Sequence, residues 1–283
     1  YVETFLRDYP DSGELRITWA RLLAEWDEFE KALTQFTKLV EHDPENKEAV
    51  YAAAVLNMEL GNDPMATRMF VRYLELDPEH DQSRLFLARI AAEQDRFDDA
   101  LSWLSAVTSA EHIFDAQLRA AFVLADAKRA DEALVHLIQM VPDSVPEQVR
   151  IYLAQERILR QSEGLEAALE LLDAALIDVP GHGDLLYARG LVTAQLKLID
   201  KHEADMRRLI ELEPDNAHAY NALGYTLADQ TDRLDEALVL IERALVLLPE
   251  DPFILDSMGW VHYRLGNNDL AREYLQKAID LRL

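Results

Sequence analysis

The chain has 283 residues, with 53 Asp and Glu against 28 Lys and Arg, a formal net charge of −25. So acidic a balance repels nucleic acid and anionic lipid headgroups and argues against both as partners, while 49 % apolar residues argue for a packed core rather than a disordered acidic tail. No apolar run reaches the roughly 18 residues a bilayer span needs, and the absence of cysteine removes disulfide, thiolate-metal and cysteine-nucleophile chemistry.

In chain order, residues 1–10 read as the second helix of a truncated repeat whose first helix is missing. The sequence is therefore expected to be a fragment, with any targeting segment upstream. Residues 11–283 read as about eight copies of one unit in a single continuous solenoid. Proline recurs at 10, 44, 78, 146, 180, 214 and 249, a step of 34 residues or its multiple with one extra residue at the end. Such a period signals stacked repeats. In the first full copy Trp19, Ala20, Leu22 and Leu23 form one helix, Trp26-Asp27-Glu28 a polar break, and Ala32, Phe36, Leu39 and Val40 a second helix. The apolar residues of that second run fall three and four apart, which is helical spacing. Alanine recurs at 32, 66, 100, 168, 237 and 271; about 12 places before five of these stand Ala20, Ala54, Ala88, Gly224 and Gly259, and Gly190 stands 12 places before His202. Small residues at fixed places let two helices approach closely. Asp43-Pro44, Asp77-Pro78 and Glu213-Pro214 stop the second helix, because proline disfavours helical geometry in the residue before it. Asp81, Asp215 and Asp251 are expected to cap the helices that follow.

The register degrades in the middle. His112 stands in the place of proline, Phe122 and Glu156 replace the small residue, and Pro142 and Pro146 compete to end one helix. Residues 110–165 are therefore expected either to change the curvature of the stack or to absorb the drift by repacking. His202 occupies a packing-alanine place, where its bulk should push hairpins apart. The extra residue falls in Asp229-Gln230-Thr231-Asp232, expected to be a loop between two helices. The fold class is accordingly all-α, a right-handed superhelical solenoid of stacked helix–turn–helix hairpins.

This pattern of aromatic, Gly or Ala, aromatic, Ala and Pro resembles the tetratricopeptide repeat over essentially the whole chain. The C-terminal third lies nearest the consensus, in Tyr220-Asn221-Ala222-Leu223-Gly224-Tyr225 and in Asp256-Ser257-Met258-Gly259-Trp260 through Gly266. These two copies also resemble a narrower group, the LbcA-type tetratricopeptide lipoproteins of Gram-negative outer membranes, which includes an adaptor of a periplasmic C-terminal processing protease. The resemblance implies a protein that brings this protease and its cell-wall-related substrates together. It would sit on the periplasmic side of the outer membrane, lipid-anchored through an upstream cysteine, with no membrane contact by these 283 residues themselves.

Chemistry finds little purchase here. None of the eight histidines pairs with another four places along one helix, and no Gly-rich phosphate loop or Gly-x-Ser-x-Gly elbow occurs. The chain reads as a non-catalytic binding module without cofactor or metal. In a solenoid of hairpins the inner face of each first helix is the natural binding surface. One place after the small residue, three before it, and their helical neighbours point there. This frame selects Arg21, Tyr51, Val55, Arg89, Arg119, Val123, Arg157, Tyr187, Leu191, Asn221, Tyr225, Asp256 and Trp260, with Arg150, Arg160, Tyr263 and Arg264 adjacent. Arg and Tyr or Trp dominate binding hot spots, and Arg grips carboxylates in a fork. The Arg150, Arg157 and Arg160 stripe would suit an acidic partner segment; equally, these arginines would only pair with neighbouring hairpins. The Lys/Asn/Arg carboxylate clamp of chaperone-binding tetratricopeptide domains is missing, since Tyr225 follows Asn221 where a clamp asparagine belongs. A general scaffold or co-chaperone that holds an extended peptide in its groove is the alternative reading.

Overall fold

A computed structural model describes residues 2–9 and 12–281. Pro10, which opens the proline period, and Leu283, the end of the last copy, lie outside the described residues, as do Tyr1, Asp11 and Arg282. The described residues form seventeen α-helices and no strand. The chain divides into two compact units, Tyr1–Ala133 and Leu134–Leu283. The first contains α1 (Val2–Asp8), α2 (Gly13–Glu25), α3 (Phe29–His42), α4 (Lys47–Glu59), α5 (Asp63–Leu76), α6 (Asp81–Glu93), α7 (Phe97–Ser105) and α8 (Ile113–Asp126). The boundary falls within α9 (Ala130–Gln139). The second contains α10 (Val145–Ser162), α11 (Leu165–Asp178), α12 (Gly183–Gln195), α13 (Ile199–Leu212), α14 (Ala217–Gln230), α15 (Leu234–Leu247), α16 (Pro252–Arg264) and α17 (Asn268–Asp280). Within each unit consecutive helices pack as antiparallel hairpins, and each hairpin stacks on the next. The all-α hairpin stack expected from the sequence is what forms.

The small residues sit where the helices cross. Ala20 and Ala32, Ala54 and Ala66, Ala88 and Ala100 are all buried, and so are Gly224 with Ala237 and Gly259 with Ala271. A Cβ on Gly224 would stand 2.6 Å from Ile241 Cγ1 and 3.0 Å from the Ala237 carbonyl oxygen. Around each crossing the apolar stripes close a core, such as Phe36, Leu39 and Leu56 in the first unit and Leu223, Leu227 and Ile241 in the second. Each hairpin ends as the prolines require. Asp43, Asp77, Val179, Glu213 and Leu248, the residues before Pro44, Pro78, Pro180, Pro214 and Pro249, all have φ between −121° and −142° and ψ between 76° and 90°.

The turn inside six of the hairpins is also uniform. Asp27, Gly61, Asp95, Lys128, Lys197 and Gly266 take left-handed backbone, with φ from 56° to 82°. The next N–H reaches back to the helix's last turn: Glu28 to the Leu23 carbonyl at 2.9 Å, Asn62 to Asn57 at 2.7 Å, Leu198 to Thr193 at 2.8 Å. This closes the helix C-terminus in a Schellman arrangement.

Several expectations are corrected. Pro146 does not end a helix: it lies in the first turn of α10, behind Ser144, whose hydroxyl accepts from the Glu147 N–H. The preceding helix already stops at Gln139. Phe122 does not take the small-residue place, because Ala121, 12 residues before Ala133, does; both are fully buried. The slip of one residue follows from α7, which is only nine residues long. After it, the Asp81 carboxylate accepts the Thr108 and Ser109 N–H groups at 3.2 and 2.8 Å and pins the loop. Asp81 is thus not a cap. His80 Nδ1 caps α6 by accepting from Ser83 N–H, and Asn216 rather than Asp215 caps α14. Asp251 caps α16 as expected, accepting from Phe253 and Ile254 at 2.9 Å.

His202 is completely buried. Its Nδ1 lies 2.8 Å from the Gly190 carbonyl oxygen and its Nε2 3.2 Å from that of Ala222. Glycine at 190 makes room for Met206 rather than for the ring: a Cβ there would lie 2.3 Å from Met206 Cε but 3.5 Å from His202 Nδ1, an ordinary contact. The extra residue of the seventh copy is not a loop insertion. Asp229 and Gln230 belong to α14, and the left-handed turn of the other hairpins is replaced by Thr231 in extended geometry. At the chain's start Phe5 is exposed and Leu6 is buried.

Two substitutions test this packing. Gly224→Ala is expected to lower unfolding free energy by about 1–2 kcal/mol, the overpacking strain exceeding the gain in helix propensity, measured by urea denaturation. Lys197→Gly is expected to raise it by about 0.5–1 kcal/mol, because the side-chain clash of the left-handed turn disappears; an unchanged midpoint in the same assay refutes this.

Candidate partner-binding groove

Most of the arginines selected from the sequence are committed within the chain. Arg21 bonds Glu48 of the next hairpin, Nε to Oε1 at 2.6 Å. Arg89 Nη2 donates to the Met58 thioether at 2.8 Å, and its guanidinium lies 5.7 Å from the Phe86 ring centroid. Arg160 holds Glu156 at 2.7 Å, so the carboxylate at the small-residue place of α10 is neutralised at once. Arg150 and Arg157 are exposed on the same helix, and neither is a free charge. Arg264 donates to the Ala228, Asp229 and Thr231 carbonyl oxygens and closes the C-terminal end of α14. Arg119 is exposed. Arg189, which the pattern did not select, bridges Asp173 at 2.8 Å and buried Asp205 at 2.6 Å. The neighbour-pairing reading therefore accounts for Arg21 and Arg264, whereas Arg160 pairs within its own helix.

Other selected residues of the first unit are structural as well. Tyr51 packs against Tyr73 and His80, each with a centroid 5.1 Å away, and Val55 is half-buried beside the core. Val123 is buried, since the frame is one residue off in that copy.

The second unit is different. Its first helices α12, α14 and α16 stand side by side. Leu191, Tyr225 and Tyr263 are 41, 41 and 57 % exposed. Tyr187 and Trp260 are half-buried with their inner edges on the core, and Trp260 stacks on Tyr263 with centroids 5.6 Å apart. These side chains share one face because Tyr187 and Leu191 lie four places apart, as do Asn221 and Tyr225, and Trp260 follows Asp256 by four. Between α10 and α12 a cavity of about 330 Å³ is lined by Leu153, Glu156, Arg160, Asp184, Tyr187 and Leu191. Two buried polar atoms on this face have no hydrogen-bond partner, Asn221 Oδ1 and Trp260 Nε1. An unmet buried group costs about 1–3 kcal/mol. The sequence frame missed Asp184 and Asp229. Both continue the helical stripe, Asp184 seven places before Leu191 and Asp229 four after Tyr225.

Burial raises the hydroxyl pKa of Tyr225 above its ordinary value, and the nearby Asp229 and Asp256 charges raise it further. Burial, then the Asp251 charge, does the same for Tyr187. The strongly shifted carboxylates lie elsewhere, in structural pairs. Arg233 holds Glu203 at about 2 against the opposing effect of burial, with help from Arg207. Burial pushes Asp81 upward, but the Ser109 and Thr108 N–H groups and Arg84 outweigh it and bring the carboxyl down to about 2. Among the described residues no cluster of three or more histidines and carboxylates is arranged to hold a metal ion, and no helix is long and apolar enough to cross a membrane.

The tetratricopeptide-repeat profile matches residues 17–66, 66–112 and 203–252, and a second profile of the same repeat matches 254–283. The chain belongs to the tetratricopeptide repeat family. It is 38 % identical over 199 residues to the TPR repeat-containing protein PA4667 of Pseudomonas aeruginosa, covering 70 % of this chain and 34 % of that protein. It is 29 % identical over 104 residues to bacteriophage adsorption protein A of Escherichia coli, 37 % of this chain and 10 % of that protein. Against the human mitochondrial import receptor subunit TOM70 the figures are 30 % over 122 residues, 42 % and 20 %. The chain thus spans about a third or less of the length of these relatives. Among solved structures, MamA of Desulfovibrio magneticus is 19 % identical, with 60 % of this chain and 94 % of that chain covered at a TM-score of 0.49. Proteins of this family generally mediate protein–protein interaction.

The depressed carboxyl of Asp81 makes stability pH-dependent. Its folded-state value lies below the unfolded one, so the stabilisation, about 2 kcal/mol, is complete above roughly pH 4 and fades as pH falls toward 2. Asp81→Asn is expected to destabilise the chain by about that amount at pH 7, with the gap to wild type narrowing below pH 4 in urea titrations. A gap that stays constant down to pH 2.5 rules this out.

Proposed function

We propose that this chain is a non-catalytic adaptor whose second unit offers the face of α12, α14 and α16 to an extended segment of a partner protein. The observation that carries this reading is the run of part-exposed aromatic side chains, Tyr187, Tyr225, Trp260 and Tyr263, along adjacent first helices. Rigid aromatic side chains gain large contact area at small entropic loss, and such residues dominate binding energy at interfaces. The unbonded Asn221 Oδ1 and Trp260 Nε1 add a reserve: a ligand that turned either side chain outward would recover a hydrogen bond.

The finer reading is a periplasmic adaptor that recruits a C-terminal processing protease and its cell-wall-related substrates, held at the outer membrane by a lipid anchor upstream. It is supported by the resemblance of residues 220–266 to the outer-membrane lipoprotein group. It fits a chain whose only charged surplus is acidic and whose arginines are largely used internally.

Immobilised chain should bind a purified periplasmic C-terminal processing protease in biolayer interferometry. Tyr225→Ala with Tyr263→Ala is expected to weaken the complex at least tenfold, as loss of two aromatic anchors of about 1 kcal/mol or more each, without moving the thermal midpoint by more than a few degrees. No binding by wild type removes the protease from the proposal. Equal binding by wild type and the double variant moves the docking site off this face.

A further inference from the structure

We infer that the groove of the second unit selects a basic segment, one that carries lysine or arginine, over an acidic or neutral one. This rests on the adaptor reading above and reverses the polarity that an arginine-lined groove would impose. Three observations carry it. First, the aromatic face is flanked by carboxylates without a cationic partner: Asp229 four residues after Tyr225 and Asp256 four before Trp260 have no ion pair among the described residues. Both lie near enough for their charges to act on the Tyr225 hydroxyl. Second, the cations at hand are already occupied. Arg160 is closed on Glu156, and Arg264 points into the backbone carbonyls of Ala228, Asp229 and Thr231 rather than to a carboxylate. Third, the cavity between α10 and α12 adds Asp184 beside Tyr187, and Asp251 stands close enough to raise that tyrosine's pKa.

The chemistry that fits is a long, flexible cation. A lysine or arginine stem lies along the exposed faces of Tyr225 and Tyr263, where the ring quadrupole attracts the charged head. The head then reaches Asp229 or Asp256, and an arginine does so in a fork. An acidic segment meets uncompensated carboxylates on the same face and a chain of net charge −25 behind them. The same field speeds the encounter with a basic segment, an advantage that salt removes.

The test uses the full chain and three fluorescein-labelled twelve-residue peptides that differ only in four positions, occupied by Lys, Ser or Glu. Fluorescence anisotropy at about 50 mM salt should show the Lys peptide at least tenfold tighter than the Ser peptide and the Glu peptide weaker than both. Asp229→Asn with Asp256→Asn should cut affinity for the Lys peptide about tenfold and leave the Ser peptide unchanged. The control pair Glu170→Gln with Glu242→Gln, exposed acids on the second helices α11 and α15, should change neither. Tyr225→Ala should weaken both the Lys and the Ser peptides. Equal affinity for the Lys and Ser peptides, or preference for the Glu peptide, overturns the inference, and continued dependence on Tyr225 then leaves the adaptor groove standing. Equal losses in the groove pair and the control pair also overturn it, by reducing the preference to overall charge. If no peptide binds and the protease does not bind either, the inference and the adaptor reading fall together.

Discussion

Everything in this chain depends on how closely two helices of one hairpin can approach. Where Ala20 faces Ala32, or Gly224 faces Ala237, the backbones come near enough for the flanking Phe and Leu stripes to interdigitate. A hairpin of two short helices has too little apolar surface to stand alone, so its outer faces must be covered by its neighbours. The crossing thus sets the spacing at which the next hairpin docks, and through it the positions of the first helices. Where His202 takes the alanine place, its ring is held by main-chain carbonyls instead of by close methyl contact, and Gly190 opposite leaves room for Met206.

The same geometry separates support from recognition. Second helices carry exposed ion pairs, such as Arg233 and Arg207 with Glu203 and Glu236. In the second unit the first helices turn aromatic rings and unpaired carboxylates outward instead. Exposed ion pairs contribute little each, and their loss leaves the core intact. An exposed tyrosine beside an unpaired aspartate has no such structural reason to be where it is, which is why this face, and not the arginine stripe of α10, is the place to look for a partner.

Much of the fold was legible in the sequence, because close crossings favour Gly or Ala and proline forces its predecessor out of helical geometry. Both constraints act locally and leave a mark at a fixed period. What was not legible came from contacts between distant residues. Asp81 reads as a cap from its position before a helix, yet it serves the Thr108 and Ser109 amides. Pro146 likewise reads as a helix end, yet it lies in the first turn of α10 behind the Ser144 cap. The groove was half legible. Helical spacing placed Tyr187, Asn221, Tyr225 and Trp260 on one face, but an arginine's reach spans several possible partners, and only folding decides between a ligand and a neighbouring carbonyl.

One detail of α14 couples its fate to that of its neighbours. Lacking the left-handed turn that seals other first helices, it is closed from outside, by Arg264 at the far end of α16. In the same manner Gln230, at the end of α14, donates to the Ala194 carbonyl at the end of α12 at 3.1 Å. Thus α12 and α14 are each sealed by the last turn of the first helix that follows. In a linear array with nearest-neighbour energies, such hand-to-hand closure strengthens the interface term relative to the intrinsic term. Fraying at the C-terminal hairpin then releases the end of α14, and loss of α14 in turn releases the end of α12, so the order of the face that carries the aromatic side chains is coupled from one hairpin to the next.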